Sequence, residues 1–225
     1  MNLFNMDGPV FRVLGKLADL MILNVVFLIC CLPIVTIGAS LTALNYVTLK
    51  MAEGEEGYIV KSFFKSFRQN FVQSTLMWLI TLAAGLILCL DFYIVKGVSD
   101  VLMKTCRVAL FAAAFLYLMI FTYLFAVQAR FYNKIRSTFR NALLMAIAEF
   151  PKTLIMMVLI VGAGLITFFN TQTFIYGILV WILFGFALIA YCNGHFLKTI
   201  FAKYSPQEEE EELDENELSE KIFVD

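Results

Sequence analysis

Residues 20–49 carry no charged side chain, and four further apolar runs follow at 74–95, 105–127, 151–169 and 174–196. Backbone placed in hydrocarbon has no water to bond, so only helices and closed barrels can satisfy it there. A membrane strand needs about 10 residues and a membrane helix about 20. Runs of this length therefore specify an all-α, polytopic bundle. Composition agrees, with 61% hydrophobic and 16% charged residues, against about 45–50% and about 25% in soluble domains.

The first run poses the main topological question. Thirty helical residues would reach about 45 Å, more than the roughly 30 Å of a hydrocarbon core. Pro33 and Gly38 interrupt the run in "LPIVTIGASLTAL", and both are candidate helix-break positions. The preferred reading is one span followed by a broken or tilted continuation, which gives about five spans. A tight two-helix hairpin over 20–49 is the alternative and gives six. Irregular backbone at that depth is tolerated only inside protein or beside a wet cavity, which makes the break a candidate site.

Charge is unevenly distributed. Ten of the 18 acids fall in the last 18 residues, so a body of +8 over residues 1–204 is joined to a tail of −9. The expected division is a transmembrane helical domain, 1–204, and an acidic disordered tail, 205–225, too poor in apolar surface to fold alone. Lys50, Lys61, Lys65 and Arg68 lie in one loop region, and Arg130, Lys134, Arg136 and Arg140 in another. The positive-inside rule places both regions and the C-terminus in the cytoplasm. The first apolar run starts late and is too long for a cleaved signal peptide. The five cysteines (Cys30, Cys31, Cys89, Cys106 and Cys192) have no metal-ligand spacing and read as small buried hydrophobes.

The segment "KSFFKSFRQNF", residues 61–71, stands outside the apolar runs. At helical periodicity Phe63, Phe64, Phe67 and Phe71 share one arc, while Lys61, Lys65 and Arg68 oppose it. This is the pattern of an amphipathic helix at a membrane interface, on the end of a bundle, or docking a partner. Asn70 falls inside the aromatic arc and needs a hydrogen-bond partner there. A weaker copy, 136–150, has Phe139, Leu143, Ile147 and Phe150 as its stripe. Glu149 is placed to cap the helix that follows. "SFRQNF" and "STFRNA" echo each other before the second and fourth apolar runs, consistent with a duplicated unit of basic helix plus hairpin.

Inside the spans the polar inventory is Asn24, Asn45, Asp91, Gln128, Asn193 and the single histidine, His195. Such groups are functional candidates by default. Asp91 and His195 fall near opposite ends of their spans, however, and no hydrolase, zinc-protease or nucleotide-binding motif is present. The expectation is a protein that is not an enzyme and uses no metal or cofactor.

Through "LPIVTIGASLTAL" (32–44) and "SFFKSFRQNFVQS" (62–74) the chain resembles the YesL family of bacterial membrane proteins, over roughly residues 1–200. The resemblance implies a similar span number and a function not yet characterised. It also implies an association with carbohydrate uptake, because genes of that family tend to sit beside sugar ABC transporters in Gram-positive bacteria. The resulting expectation is an accessory or regulatory protein of the bacterial cytoplasmic membrane. Its partners would be the lipid bilayer and ABC permease subunits, with no nucleic acid. The alternative is a small stand-alone transporter or channel with a site at the Pro33 break near Asn24 and Asn45.

Overall fold

The computed structural model describes residues 9–55, 57–96, 101–131 and 133–204, and every regular element among them is helical. The acidic tail and its expected disorder lie outside the described residues. The helices are α1 (Pro9–Cys31), α2 (Ile37–Glu53), α3 (Ile59–Lys96), α4 (Val101–Arg130), α5 (Ile135–Ala148), α6 (Phe150–Thr167), α7 (Thr171–Val180) and α8 (Phe186–Tyr204). A single 3-10 turn, Ile34–Thr36, joins α1 to α2, and a π-helical segment, Trp181–Gly185, runs between α7 and α8. Among the described residues six stretches are long and apolar enough to cross a membrane: within α1, across the 3-10 turn and α2, in α3, in α4, in α6, and from α7 through α8. The protein is a multi-pass helical membrane bundle.

The preferred five-span reading of residues 20–49 is therefore replaced by the hairpin. Pro33 has no N–H to continue α1 and disfavours helix at the residue before it, and α1 ends at Cys31. Thr36 closes the turn: its hydroxyl donates to the carbonyls of Cys30 at 2.6 Å and Pro33 at 2.8 Å. Gly38 is not a break. It is a buried residue in the first turn of α2, and its missing side chain lets α2 approach α3. A Cβ at Gly38 would lie 2.3 Å from the Ser74 carbonyl oxygen.

α2 is the central helix, in contact with α1, α3, α4 and α8 and most extensively with α3 and α8. Six of its nine buried residues are small or short (Gly38, Ala39, Ser40, Thr42, Ala43, Thr48), beside Leu44, Val47 and Leu49, a composition that allows close helix approach in a membrane. Gly194 of α8 plays the reciprocal part, since a Cβ there would come within 3.2 Å of the Thr48 carbonyl oxygen. Lys198 then donates to the Ala52 carbonyl at the end of α2, and Gly54, with φ 85°, turns the chain out of the helix.

α3 runs unbroken for 38 residues, about 57 Å. The amphipathic segment and the span expected at 74–95 are one helix. Its first turns thus extend the axis of the span beyond a hydrocarbon core of about 30 Å. The equivalent junction between α5 and α6 is kinked at Glu149 (φ −109°, ψ 43°), because Pro151 follows two residues later. Thr153 secures that kink, donating to the carbonyls of Ala146 at 2.9 Å and Glu149 at 3.1 Å, with its hydroxyl 2.9 Å from that of the buried Tyr123. The two halves of the proposed repeat therefore differ in shape.

Lipid-facing surface is broad and apolar, with Leu86, Ile87, Leu90, Val158, Leu165 and Ile166 all more than half exposed. The cysteines depart from the expected burial. Cys30, Cys31 and Cys192 are half-buried, Cys89 and Cys106 are exposed, and all five are free thiols.

Candidate functional site

Two polar constructions stand out in the bundle, and both use residues named from the sequence. The first joins the ends of α3, α4 and α5. Asn70 is buried, and its amide nitrogen donates to the Ser66 carbonyl at 3.1 Å. Its amide oxygen accepts from Gln128 Nε2 of α4 at 3.0 Å. Gln128 Oε1 in turn accepts from Gln73 Nε2 at 3.1 Å and from the Thr138 hydroxyl of α5 at 3.3 Å. Gln73 also donates to the Asn133 carbonyl in the turn between α4 and α5. The partner that Asn70 needed is thus within the same chain. A buried amide network with its members paired fixes three helices in one register.

This lock orients the basic segment. Ser66, Asn70 and Ser74 form the buried side of α3, and the Ser74 hydroxyl lies 2.8 Å from that of Thr42 on α2. Phe63 is fully buried among α1 and α2 residues and Phe67 is half-buried, while Phe64 and Phe71 are more than a third exposed. The aromatic arc is therefore divided between an anchor and a rim. Lys61, Lys65 and Arg68 are exposed on the outer face. In α5 the stripe is rotated relative to the sequence expectation: Thr138, Ala142, Met145 and Ala146 are buried. Phe139 and Leu143 are half-buried, and Ile147 and Phe150 are exposed.

Other cations gather at the same end. Arg130 lies 3.4 Å from Glu53, and Lys16 Nζ reaches the Tyr191 hydroxyl at 3.4 Å. Glu149, expected as a helix cap, makes no side-chain cap. Its carboxylate instead sits between Lys203 at 2.7 Å and Lys152 at 3.1 Å. Hydrogen bonds from Lys203 and then Lys152 hold its carboxyl below the usual glutamate range. A lowered folded-state value stabilises the fold at pH above the unfolded value, and the contribution is lost as pH falls through the lowered one. The melting temperature of the wild type should thus drop more steeply than that of Glu149→Gln on acidification from about pH 7 to about pH 3, the two curves converging at the acid end. Parallel curves across that range would show that the Glu149 pairs contribute nothing to the fold.

The second construction lies deeper. Asn24 of α1 donates to the carbonyls of Trp181 at 2.9 Å and Ile182 at 2.8 Å, and its side-chain oxygen accepts from Ala187 N at 3.0 Å. A π segment shifts the helical hydrogen-bond register and leaves backbone groups unpaired. Asn24 bonds three backbone groups in and just beyond this one. The Trp181 indole donates to the Thr167 hydroxyl of α6 at 2.9 Å, which ties the same segment to a further helix.

Beside it a cavity of about 400 Å³ opens between α1, α2, α3, α4, α6 and α8, bordered by Cys31 and Ile37 on either side of the Pro33 turn. Asn45, Trp78, Thr122 and Asn193 are among its polar lining, with Asn45 tied to its own helix through the Leu41 carbonyl and Thr122 through the Leu118 carbonyl, both at 2.8 Å. Trp78, which sequence reasoning passed over as an apolar residue, is recognisable only from this setting. Asp91 is half-buried toward the far end of α3, and the exposed His195 packs edge-on against Tyr191 near the basic end. The structure does not bring them together. Among the described residues no group of three or more His, Cys, Asp or Glu side chains is placed to hold a metal.

The matched part of the chain covers both constructions in part. No curated protein and no solved structure matches the chain. A family model described as "Protein of unknown function, DUF624" matches residues 20–92, so the stretch from α1 through most of α3, with Asn24, Gly38, Asn45, Asn70 and Trp78, is similar to that family.

Proposed function

We propose that this protein is a non-catalytic accessory or regulatory subunit of the bacterial cytoplasmic membrane that docks a partner through the basic end of its bundle. The observation that carries this reading is the amide lock around Gln128. It holds the first turns of α3 rigidly, with Lys61, Lys65 and Arg68 exposed on a helix that continues past its span. A preformed cationic face needs little ordering on binding and gives orientation and rate to an encounter with an acidic surface. By the positive-inside rule that end, with the C-terminus, is cytoplasmic. The partner class is the permease part of a carbohydrate ABC transporter in a Gram-positive bacterium, a choice that rests on the resemblance to the YesL family.

The triple variant Lys61→Glu, Lys65→Glu, Arg68→Glu tests the reading. Isolated in mild detergent with its neighbours cross-linked, the wild type should carry ABC permease subunits, and the variant should lose them while eluting as the same folded species. Equal recovery with both proteins, or no permease with either, would overturn the reading. The cavity beside the Pro33 turn favours a second reading, a small stand-alone transporter or channel. Solute flux into vesicles containing this protein alone would decide for that one.

A further inference from the structure

The basic end of the bundle carries more cations than its own acids answer. Lys61, Lys65 and Arg68 on α3, and Lys134, Arg136 and Arg140 around the start of α5, are exposed and make no ion pair among the described residues. The glutamates nearby are already engaged, Glu53 by Arg130, Glu55 by Lys50, and Glu149 by Lys152 and Lys203. The amide lock sets the two cationic groups beside each other, although they are far apart in sequence. Gln73 of α3 donates to the carbonyl of Asn133, the residue before Lys134, and Gln128 joins Asn70 to Thr138. α8 finishes on the same ground. Phe201 packs edge-on against Phe131 at the turn between α4 and α5, with ring centroids 5.4 Å apart, and the helix ends at Tyr204. Residues 205–225, which follow, hold ten acids against one base and open with a run of five glutamates at 208–212.

We propose that this acidic segment of the same chain docks on the cationic band and covers it. Complementary charge selects the occupant, and the tether favours it over other acidic surfaces. The first glutamate of the run is four residues past Tyr204, within about 13 Å of the end of α8 even when fully extended. A segment tethered so closely acts at an effective concentration of about 1 mM. Lys198 and Lys203 stand nearer on α8, but the Ala52 carbonyl and Glu149 already hold them. The contact itself needs no partner protein. Its consequence rests on the docking reading above: a covered band must be vacated before the acidic surface of a partner can sit there, so the segment holds docking in check.

The test uses no permease, so its failure and that of the docking reading are separate results. The full-length protein, in nanodiscs of phosphatidylcholine and phosphatidylglycerol, is treated with a water-soluble carbodiimide. The reagent takes up the water released as a carboxylate and an ammonium group in contact become an amide. Peptide maps of the monomer should join acids of residues 208–220 to Lys61, Lys65 or Lys134, and 1 M salt should reduce that coupling at least about tenfold by screening. Coupling of Lys203 to Glu149, 2.7 Å apart, shows in both conditions that the reagent works. A synthetic peptide of residues 205–225 should bind protein truncated after Tyr204 at least about tenfold more tightly than the intact protein, whose own segment already fills the band. Changing the five glutamates at 208–212 to glutamine keeps the segment's length and should strengthen peptide binding in the same direction. Lys61→Glu, Lys65→Glu and Arg68→Glu together should weaken the peptide on the truncated protein by at least about tenfold. Equal peptide binding by intact and truncated protein, or binding by neither, would leave the band to lipid headgroups or solvent and overturn the proposal. Carbodiimide coupling of the segment to Lys198 and Lys203 alone would overturn it as well.

Discussion

Replacing Gly38 with alanine is expected to destabilise the protein by about 3 kcal/mol or more, a large effect for one methyl group. The new Cβ would lie 2.3 Å from the Ser74 carbonyl oxygen, 3.0 Å from its carbonyl carbon and 2.5 Å from Trp78 Cβ. All three atoms are fixed to the α3 backbone, so no rotamer change relieves the overlap and α2 must move away from α3. That shift also strains the 2.8 Å contact between the Thr42 and Ser74 hydroxyls. Gly164→Ala in α6 is the control. Nothing lies within 4 Å of its would-be Cβ, and the change should alter stability by no more than about 1 kcal/mol, in the stabilising direction expected for alanine in a helix. Folded fraction during denaturant titration in detergent reads both. Equal stability of the two variants would mean that α2 and α3 do not meet at this register.

Asn24→Leu is expected to have a comparable effect for a different reason. Leucine nearly preserves the volume but leaves the carbonyls of Trp181 and Ile182 and the N–H of Ala187 without the partners that Asn24 provides. Unsatisfied groups of this kind cost about 1–3 kcal/mol each, so a total loss of about 3 kcal/mol or more follows unless the π segment rewinds. Asn24→Asp keeps an acceptor for Ala187 N, removes the two donated bonds and adds a buried charge, and it should be no better than leucine. A leucine variant as stable as the wild type would show that the last span does not depend on α1 for its π turn. The two substitutions probe separate contacts, α2 on α3 and α1 on the π segment, so their effects should add within about 0.5 kcal/mol.

The sequence located Asn70 as an anomaly and stated its need for a partner, but it had no means of naming Gln128. The two residues are 58 positions apart, and each amide taken alone is equally compatible with a lipid-facing interface, a loop or a partner protein. On α5 the sequence marks Phe139, Leu143, Ile147 and Phe150 as the stripe of a helix at a membrane interface or on a bundle end, and the structure divides them, with Phe139 and Leu143 half-buried and Ile147 and Phe150 exposed. In water, burial of large apolar groups drives packing. Against lipid that drive is absent, and helices associate through close approach of small residues and hydrogen bonds. Thr138 and Ala142 accordingly point inward while Ile147 and Phe150 point outward. The same inversion gives α3 a buried line of Ser66, Asn70 and Ser74.

What the amino-acid sequence determined by itself is the membrane class, the all-helical architecture, the position of most spans and the concentration of cations on certain loops. These follow from segment length, hydropathy and the solvent requirement of the backbone, which are local quantities. Whether Pro33 made a kink or a reversal was beyond it, because both satisfy the backbone equally. The tertiary structure alone decided that it is a reversal, that Gly38 is a contact and not a break, and that Asn24 serves a π turn 157 residues away. It alone set Trp78 and Asn193 around one cavity. In a bilayer every lipid-facing side is apolar, so hydropathy cannot distinguish inside from outside, and only the helices' mutual fit can.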